Sequence, residues 1–250
     1  MKSKAFGSPA ILFYLFTVLI LIGTGLLCLP QANAAGVVTP FMDALFTATS
    51  AITVTGLTVE VTATYWSGFG KIIILLLMFI GGLGIMTTGA FLLVLIGRRV
   101  SIFQRQLVKE SISILPVNEV GGVVKLVVRI VLISVSVQVI GFIVYLAKLL
   151  TEMDAKNAIP HAIFLSVSAF NNAGFNILPN SVSLEQFRTE YWVLASTATM
   201  ILIGGIGYGV MVDVVRLKRF NRYRLDSRLV ILVSIALWML GTMVLLIFEQ

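Results

Sequence analysis

Five apolar runs occupy much of this 250-residue sequence, and each is long enough to cross a bilayer. A helix needs about 20 predominantly apolar residues to span the hydrocarbon core. The runs cover residues 9–29, 72–97, 123–150, 191–215 and 229–248. Charged residues make up only 12% of the chain, against roughly 25% in soluble domains. These features predict an all-α polytopic membrane protein and disfavour a soluble globular domain or a disordered chain.

The basic residues predict the direction of the spans. They cluster before the first run and in the connections that follow the second and fourth runs, so the positive-inside rule predicts a cytoplasmic N-terminus. The net charge of +7 therefore reports topology, and nucleic acid is not a predicted partner. Membrane lipid or a cytosolic protein is a better match for the basic loops. The candidate partner contacts are Arg98, Arg99, Arg105, Lys109, Arg216, Lys218, Arg219 and Arg222.

Residues suited to enzyme chemistry are scarce. Cys28 is the one cysteine and His161 the one histidine, which excludes an internal disulfide and a cysteine-cluster metal site. The apolar runs hold no constellation of acid, histidine and nucleophile. A membrane enzyme is therefore a weak alternative, and we predict no organic cofactor.

The first run could also be a cleaved signal peptide, because Ala32-Asn33-Ala34 resembles a cleavage site. Its apolar stretch is longer than the roughly 7–15 residues usual in signal peptides. We therefore expect a retained helix.

Two connections contain short apolar segments that resemble each other. Residues 44–57 (ALFTATSAITVTGL) align without a gap on residues 162–175 (AIFLSVSAFNNAGF), at an offset of 118 positions. Further along, residues 80–84 (IGGLG) match residues 203–207 (IGGIG) at an offset of 123. The repeating unit is a span, a short apolar segment, a glycine-bearing turn and a second span. Such repeats are common in transporters.

The short segments are predicted to be half-helices that stop inside the membrane. Pro40 and Pro160 would occupy the first helical turn, and Thr39 could cap the first half-helix. About 12 helical residues extend roughly 18 Å, which reaches the bilayer centre without crossing it. The chain must then return as non-helical backbone, which is tolerated at membrane depth only within protein or along water.

Carbonyl groups in such a return need a partner, and a dehydrated cation can provide one. Glycine allows successive carbonyls to turn the same way, and the C-termini of the half-helices add negative potential. We predict a cation selectivity filter, with an ordinary outer loop and turn glycine as the alternative. The candidate residues are Thr53, Val54, Thr55, Gly56, Asn171, Asn172, Ala173 and Gly174.

Thr53-Val54-Thr55-Gly56-Leu57, followed by the glycine-rich span at 79–89, resembles the first filter of the Trk/Ktr/HKT potassium transporters. Within this superfamily the sequence most resembles the membrane subunit of bacterial Ktr systems. The resemblance implies potassium-channel-like membrane–pore–membrane repeats around one pore, each with one key glycine. It also implies potassium as the transported ion, uptake that is often sodium-dependent, a homodimeric membrane subunit in the cell membrane, and a cytosolic nucleotide-binding regulatory subunit.

Against this family the chain holds two complete repeats and the first helix of a third. The predicted boundaries are 1–97 for the first repeat, 98–121 for a cytoplasmic loop and 122–217 for the second repeat. A basic loop follows at 218–228, and residues 229–250 are the first helix of a truncated third repeat. We therefore expect the N-terminal part of a transporter subunit. A membrane fragment that does not transport, or that has a structural or regulatory role, remains an alternative.

Two further expectations concern residues near the inner ends of the spans. The glycines at 81, 82, 84 and 89, and at 204, 205, 207 and 209, lie inside spans and are expected to allow close helix contact. Asp213 is expected to pair with Arg216.

Overall fold

The computed structural model of the protein describes residues 8–84, 87–91, 123–178, 184–217 and 219–248. These residues form nine α-helices and a further helical stretch at 87–91, and they contain no β-strand. The prediction of an all-α protein is therefore confirmed.

The first half of the fold contains four helices, α1 (Ser8–Leu27), α2 (Phe41–Thr53), α3 (Thr62–Tyr65) and α4 (Gly68–Leu83). Helices α1, α2 and α4 pack against one another around a core of small and aliphatic side chains. The Ser67 side chain caps α4 by accepting a hydrogen bond from the backbone N–H of Gly70, 3.2 Å away. The short helix α2 therefore contacts both of the longer helices α1 and α4.

The second half repeats this arrangement and continues beyond it. Its helices are α5 (Val123–Leu149), α6 (Ala155–Phe170), α7 (Tyr191–Gly205) and α8 (Tyr208–Leu217), followed by α9 (Leu225–Phe248). Helices α5, α6 and α7 pack together, and α6 also contacts α4 of the first half. Most of α9 is exposed, and Ser227 is its one buried residue.

The two halves share one core. Phe164, Ala173 and Phe175 from the second half are buried in the same cluster as Leu27 and Ile74 from the first. Burial of these apolar side chains fixes the ends of α2 and α6 relative to each other. The two predicted filter segments are therefore held side by side.

Two helices of the described part are long and apolar enough to cross a membrane, Val124–Leu149 and Leu225–Phe248. The pair Tyr191–Gly205 and Tyr208–Leu217 counts as a third if it forms one bent span, and the shorter helices Phe13–Leu27 and Gly68–Leu83 are also apolar. A membrane location follows. The predicted number of five spans stays a prediction.

The second and fourth apolar runs are each interrupted by a helix break. Helix α4 ends at Leu83, Gly84 adopts a φ of 78°, and helix resumes at residues 87–91. Helix α7 ends at Gly205, Gly207 adopts a φ of 89°, and α8 leaves at an angle of 99° to α7. Gly84 and Gly207 are therefore at helix breaks, because their left-handed φ does not fit a right-handed helix.

Two expectations about the starts of the half-helices are wrong. Helix α6 begins at Ala155, so Pro160 lies inside it rather than in its first turn. The backbone that leads into α6 is extended at Asp154, whose side chain makes no capping bond. Pro40 precedes the first residue of α2, and Thr39 does not cap it. The Thr39 hydroxyl instead accepts a 3.4 Å hydrogen bond from the side-chain amide of Asn33.

Ionic contacts join elements at the helix ends. Lys148 donates a 2.7 Å hydrogen bond to Glu190, which also accepts one from the Trp192 indole at 3.0 Å. These two hydrogen bonds hold the pKa of Glu190 below its usual value. Asp213 is bound by Arg224 at 2.9 Å and by Ser227 at 2.6 Å, rather than by Arg216 as expected, and this contact ties α8 to α9.

We expect Gly204→Ala to destabilise the fold by about 1–3 kcal/mol, because an added methyl group would collide with the Phe170 carbonyl at the end of α6. The matched control is Gly241→Ala in α9, where nothing lies within 4 Å of the new carbon. That variant should be neutral or gain up to about 1 kcal/mol from helix propensity. Thermal unfolding of the purified chain in detergent measures both, and equal stabilities would contradict this packing.

Candidate functional site: two glycine loops at the ends of half-helices

Helices α2 and α6 end with the same backbone geometry. Val54 and Asn172, which lie 118 positions apart, both have positive φ, 51° and 58°. The backbone N–H of Thr55 bonds to the Ser50 carbonyl at 3.0 Å, and that of Ala173 bonds to the Ser168 carbonyl at 2.8 Å. These bonds span five residues, as in the Schellman motif that terminates helices. Each half-helix is therefore closed by a left-handed residue that turns the chain into a loop.

The first of these left-handed residues is sterically unusual. Valine is β-branched, and positive φ is a true outlier for such residues, whereas asparagine tolerates it. Val54 is partly buried against the core of the first half, so tertiary packing holds the conformation. Strained backbone of this kind concentrates at functional sites.

A buried serine ties each loop to its half-helix. The Ser168 hydroxyl donates a 2.6 Å hydrogen bond to the Phe175 carbonyl, just beyond Gly174. At the matching place in the first half, the Ser50 hydroxyl accepts a 3.0 Å hydrogen bond from the Thr55 side chain. Both serines are at most 4% exposed. They fix the path of the backbone on either side of the two loop glycines.

The two loops meet at these glycines. Gly56 has a φ of 73° and Gly174 a φ of 71°. A Cβ atom on Gly56 would lie 2.6 Å from the carbonyl oxygen of Ala173 and 3.0 Å from the Cα of Gly174. A side chain at this position is therefore excluded twice, by the backbone conformation and by the neighbouring loop.

The loop carbonyls have no hydrogen-bond donor among the described residues. Within the described part of the chain, no residue donates a hydrogen bond to the backbone oxygens of residues 53–56 or 171–174. Thr53, Thr55, Asn172 and Gly174 are exposed, whereas Ala173 is fully buried. Neutral carbonyl oxygens at the negative ends of two helix dipoles suit a cation. The described residues hold no cluster of three or more His, Cys, Asp or Glu that could bind a metal ion.

Glycines of the long helices lie directly behind the half-helix ends. A Cβ on Gly81 would collide with the Ile52 carbonyl, and one on Gly204 would collide with the Phe170 carbonyl. Ile52 and Phe170 are themselves 118 positions apart. The expectation of close contact is confirmed at Gly81 and Gly204, and these contacts let the half-helix ends approach α4 and α7. It is wrong at Gly89 and Gly207, where no described atom lies within 4 Å of an added Cβ.

The surroundings of the two loops differ. Behind the second loop is a cavity of about 200 Å³. Its wall includes Tyr145 and Thr197, whose hydroxyl oxygens are 2.6 Å apart in a shared hydrogen bond. In the first half, the position 123 residues before Thr197 is Ile74, which is fully buried in an apolar core. The second loop thus has a more polar backing than the first.

The candidate partner residues divide between described and undescribed parts of the chain. Arg216 at the end of α8, Arg219 and Arg222 are exposed. Arg98, Arg99, Arg105, Lys109 and Lys218 lie outside the described residues.

Ser50 and Ser168 carry no predicted role in the sequence, and only the structure connects them to the loops. The sequence did contain a sign of their importance, because a serine occupies the same position in the two matched segments 44–57 and 162–175. The targets of their hydrogen bonds were not available from sequence, because Thr55 and Phe175 lie in irregular backbone.

Comparison with known proteins gives the chain a family. Residues 10–247 match the family TrkH, described as cation transport protein. The chain is 35% identical over 235 residues to the potassium/sodium uptake protein NtpJ of Enterococcus hirae, covering 94% of this chain and 51% of that protein. It is 32% identical over 248 residues to the Ktr system potassium uptake protein B of Bacillus subtilis, covering 99% of this chain and 54% of that protein.

A third relative is the Ktr system potassium uptake protein B of Vibrio alginolyticus, 35% identical over 251 residues. The match covers 100% of this chain and 53% of that protein. The chain thus spans about half the length of the curated relatives it matches.

We expect Ser168→Ala to lower the free energy of unfolding by about 1–3 kcal/mol, because the buried Phe175 carbonyl loses its hydrogen-bond donor. Ser166→Ala is the control, since Ser166 is equally buried in α6 but donates to Ile163 within the same helix. Thermal unfolding in detergent compares the two variants. A loss of stability in Ser166→Ala as large as in Ser168→Ala would contradict a specific role for the loop contact.

Proposed function

Because the chain belongs to the TrkH family of cation transport proteins, we propose that it provides part of a potassium uptake pathway across the cell membrane. In this proposal potassium loses its hydration water near the centre of the bilayer. Backbone carbonyls of Thr53, Val54, Thr55 and Gly56 replace that water on one side of the path. Those of Asn171, Asn172, Ala173 and Gly174 replace it on another side.

The observation that carries the proposal is the pair of matching loops. Each follows the C-terminus of a half-helix, turns through a left-handed residue, and meets the other at a glycine of positive φ. Their carbonyl oxygens accept no hydrogen bond from any described residue. Carbonyls without a partner inside a membrane protein are costly unless an ion or water occupies them. A filter accounts for all of these features together.

The choice of potassium as the proposed ion is based on the names of the relatives. Two are named as Ktr system potassium uptake proteins, and one as a potassium/sodium uptake protein. We therefore propose potassium as the transported ion, with sodium as the coupling or second ion.

The proposed architecture has two membrane–pore–membrane repeats, at 1–97 and 122–217, and the opening helix of a third. Two filter loops would line half of a four-sided pore, which agrees with a chain of about half the relatives' length. The N-terminus and the two basic loops would face the cytoplasm, as the positive-inside rule predicts. The complete subunit would form a homodimer and bind a cytosolic nucleotide-binding regulatory subunit through those loops.

Gly56→Ser tests the filter. In a full-length subunit that contains this sequence, we expect potassium uptake by a transport-deficient strain to fall at least about tenfold, because the side chain would enter the space of the facing loop. The chain alone, expressed in the same strain, tests whether this half can transport.

Gly36→Ser provides the control. Gly36 has nearly the same φ, 71°, but nothing lies within 4 Å of an added Cβ, so it reproduces the backbone strain without the collision. Uptake should stay close to that of the unmodified protein. Normal uptake and selectivity in the Gly56→Ser variant would refute the filter proposal.

Charge reversal of Arg216, Arg219 and Arg222 tests the proposed partner surface. We expect the triple change to glutamate to weaken capture of the regulatory subunit by about tenfold or more, since exposed basic residues would become repulsive. Arg188→Glu is the control, because Arg188 is also exposed but lies in a connection predicted to face outward. Unchanged capture by the triple variant would remove this surface from the proposal.

A further inference from the structure

We infer that Tyr208 is a positioning residue that locks the two helix breaks to each other and to the second loop. The inference goes beyond the proposed filter, which assigns no role to this side chain. Its meaning for ion flow rests on the proposed function, whereas the contact itself does not.

Carbonyls of the last turn of α4, before the break, accept hydrogen bonds from two side chains. A helix that ends inside an apolar environment must satisfy its last carbonyls in another way. Here two hydroxyl groups do so. Thr88, beyond the break, donates to the Ile80 carbonyl at 3.4 Å, and Tyr208 donates to the Gly82 carbonyl at 2.5 Å. The second bond joins residues 126 positions apart.

Tyr208 is placed at the other break. It is the first residue of α8, directly after Gly207 with its φ of 89°. Its ring packs against two separate apolar clusters, one around α5, α6 and α7 and the other around Leu83, Ile130 and Val212. The side chain therefore spans from one break to the other. Neither break can open on its own without breaking this bond or moving the ring out of both clusters.

Gly82 connects the same bond to the second loop. A Cβ on Gly82 would collide with the side chain of Asn171, the residue that follows α6 and opens the loop. Asn171 is 6% exposed and donates a 2.9 Å hydrogen bond to the Val167 carbonyl. The backbone of Gly82 thus lies between the start of the loop on one side and the Tyr208 hydroxyl on the other.

A tyrosine of the second half binds a carbonyl of the first half, and the first half has no equivalent hydroxyl group. By the offset of 123 positions, the residue that corresponds to Tyr208 in the first half is Ile85, which carries no hydroxyl group. By the offset of 118 positions, the counterpart of Asn171 is Thr53. The two halves repeat the same fold, but this polar lock is present once per chain among these equivalent positions.

The expected consequence is coupled movement. The chain segments beyond the breaks, residues 87–91 and α8, would keep one relative position while Tyr208 is bonded. Without the Tyr208 hydroxyl, the two segments would adopt several relative positions. The bond favours one conformer, and its removal lets other conformers become populated. In the proposed pore, these segments lie on the inner side of the filter, where their position sets the width of the path.

Spin labels placed beyond each break test the inference. Gly89 is exposed and no described atom lies within 4 Å of a Cβ added there, and Val215 is 48% exposed, so both are chosen for a labelled cysteine. The background carries Cys28→Ser, and the chain is held in lipid nanodiscs. We expect one narrow distance distribution in the parent and, in Tyr208→Phe, a distribution about twofold wider or split in two.

Tyr145→Phe is the matched control. Tyr145 is fully buried, and its hydroxyl shares a 2.6 Å hydrogen bond with Thr197 inside the second half, so this variant loses a tyrosine hydroxyl without touching either break. Its distance distribution should equal that of the parent. An unchanged distribution in Tyr208→Phe, or equal broadening in both variants, would overturn the inference.

Uptake by a full-length subunit with Tyr208→Phe separates this inference from the proposed function. We expect the maximal rate to change while the KM for potassium stays within about twofold, because the filter carbonyls are untouched. An altered KM with an unaltered rate would count against a positioning role. If the parent protein fails to transport potassium but the distance result holds, the proposed function fails and the coupling of the breaks stands.

Discussion

The fold depends on satisfying backbone polar groups where helices stop inside an apolar protein. Helices α2 and α6 each end within the bundle, and the helices behind them break at Gly84 and Gly207. A free N–H or carbonyl group is costly inside an apolar protein unless another group, water or an ion binds it. The structure meets this cost with backbone bonds across the helix ends and with hydroxyl groups from serine, threonine and tyrosine, whereas no described residue donates a hydrogen bond to the carbonyls of residues 53–56 and 171–174.

Glycine makes this arrangement possible in two different ways. At Gly56, Gly174, Gly84 and Gly207 it provides a left-handed φ, which turns or breaks the chain. At Gly81 and Gly204 it leaves room for the carbonyl of a half-helix to lie against a long helix. The first use shapes the loops, and the second brings them to a fixed depth. Both are needed before two short segments, far apart in sequence, can present their carbonyls to the same space.

The ends of α2 and α6 share their backbone geometry, but the side chains at matching positions differ. The strained left-handed position is valine in one and asparagine in the other, and the apolar backing at Ile74 is replaced by the hydroxyl pair of Tyr145 and Thr197. The bond from Tyr208 to Gly82 also has no equivalent in the first half by sequence. An approximate repeat within one chain allows such differences, because each copy is encoded separately. A pore built from unlike copies can combine a shared filter geometry with contacts that serve one side alone.

The sequence by itself determined the helical membrane class, the positions of the half-helices and the segments that follow them. Hydrophobic run length, basic-residue placement and the matched segments at an offset of 118 positions carry that information locally. It misjudged the helix that contains Pro160 and the pairing of Asp213, and it did not indicate the breaks in the glycine-rich spans. Tertiary structure decided those points. The surroundings of each glycine depend on hydroxyl, carbonyl or side-chain groups from other elements. For Gly82 that group is the hydroxyl of Tyr208, 126 positions away in the sequence.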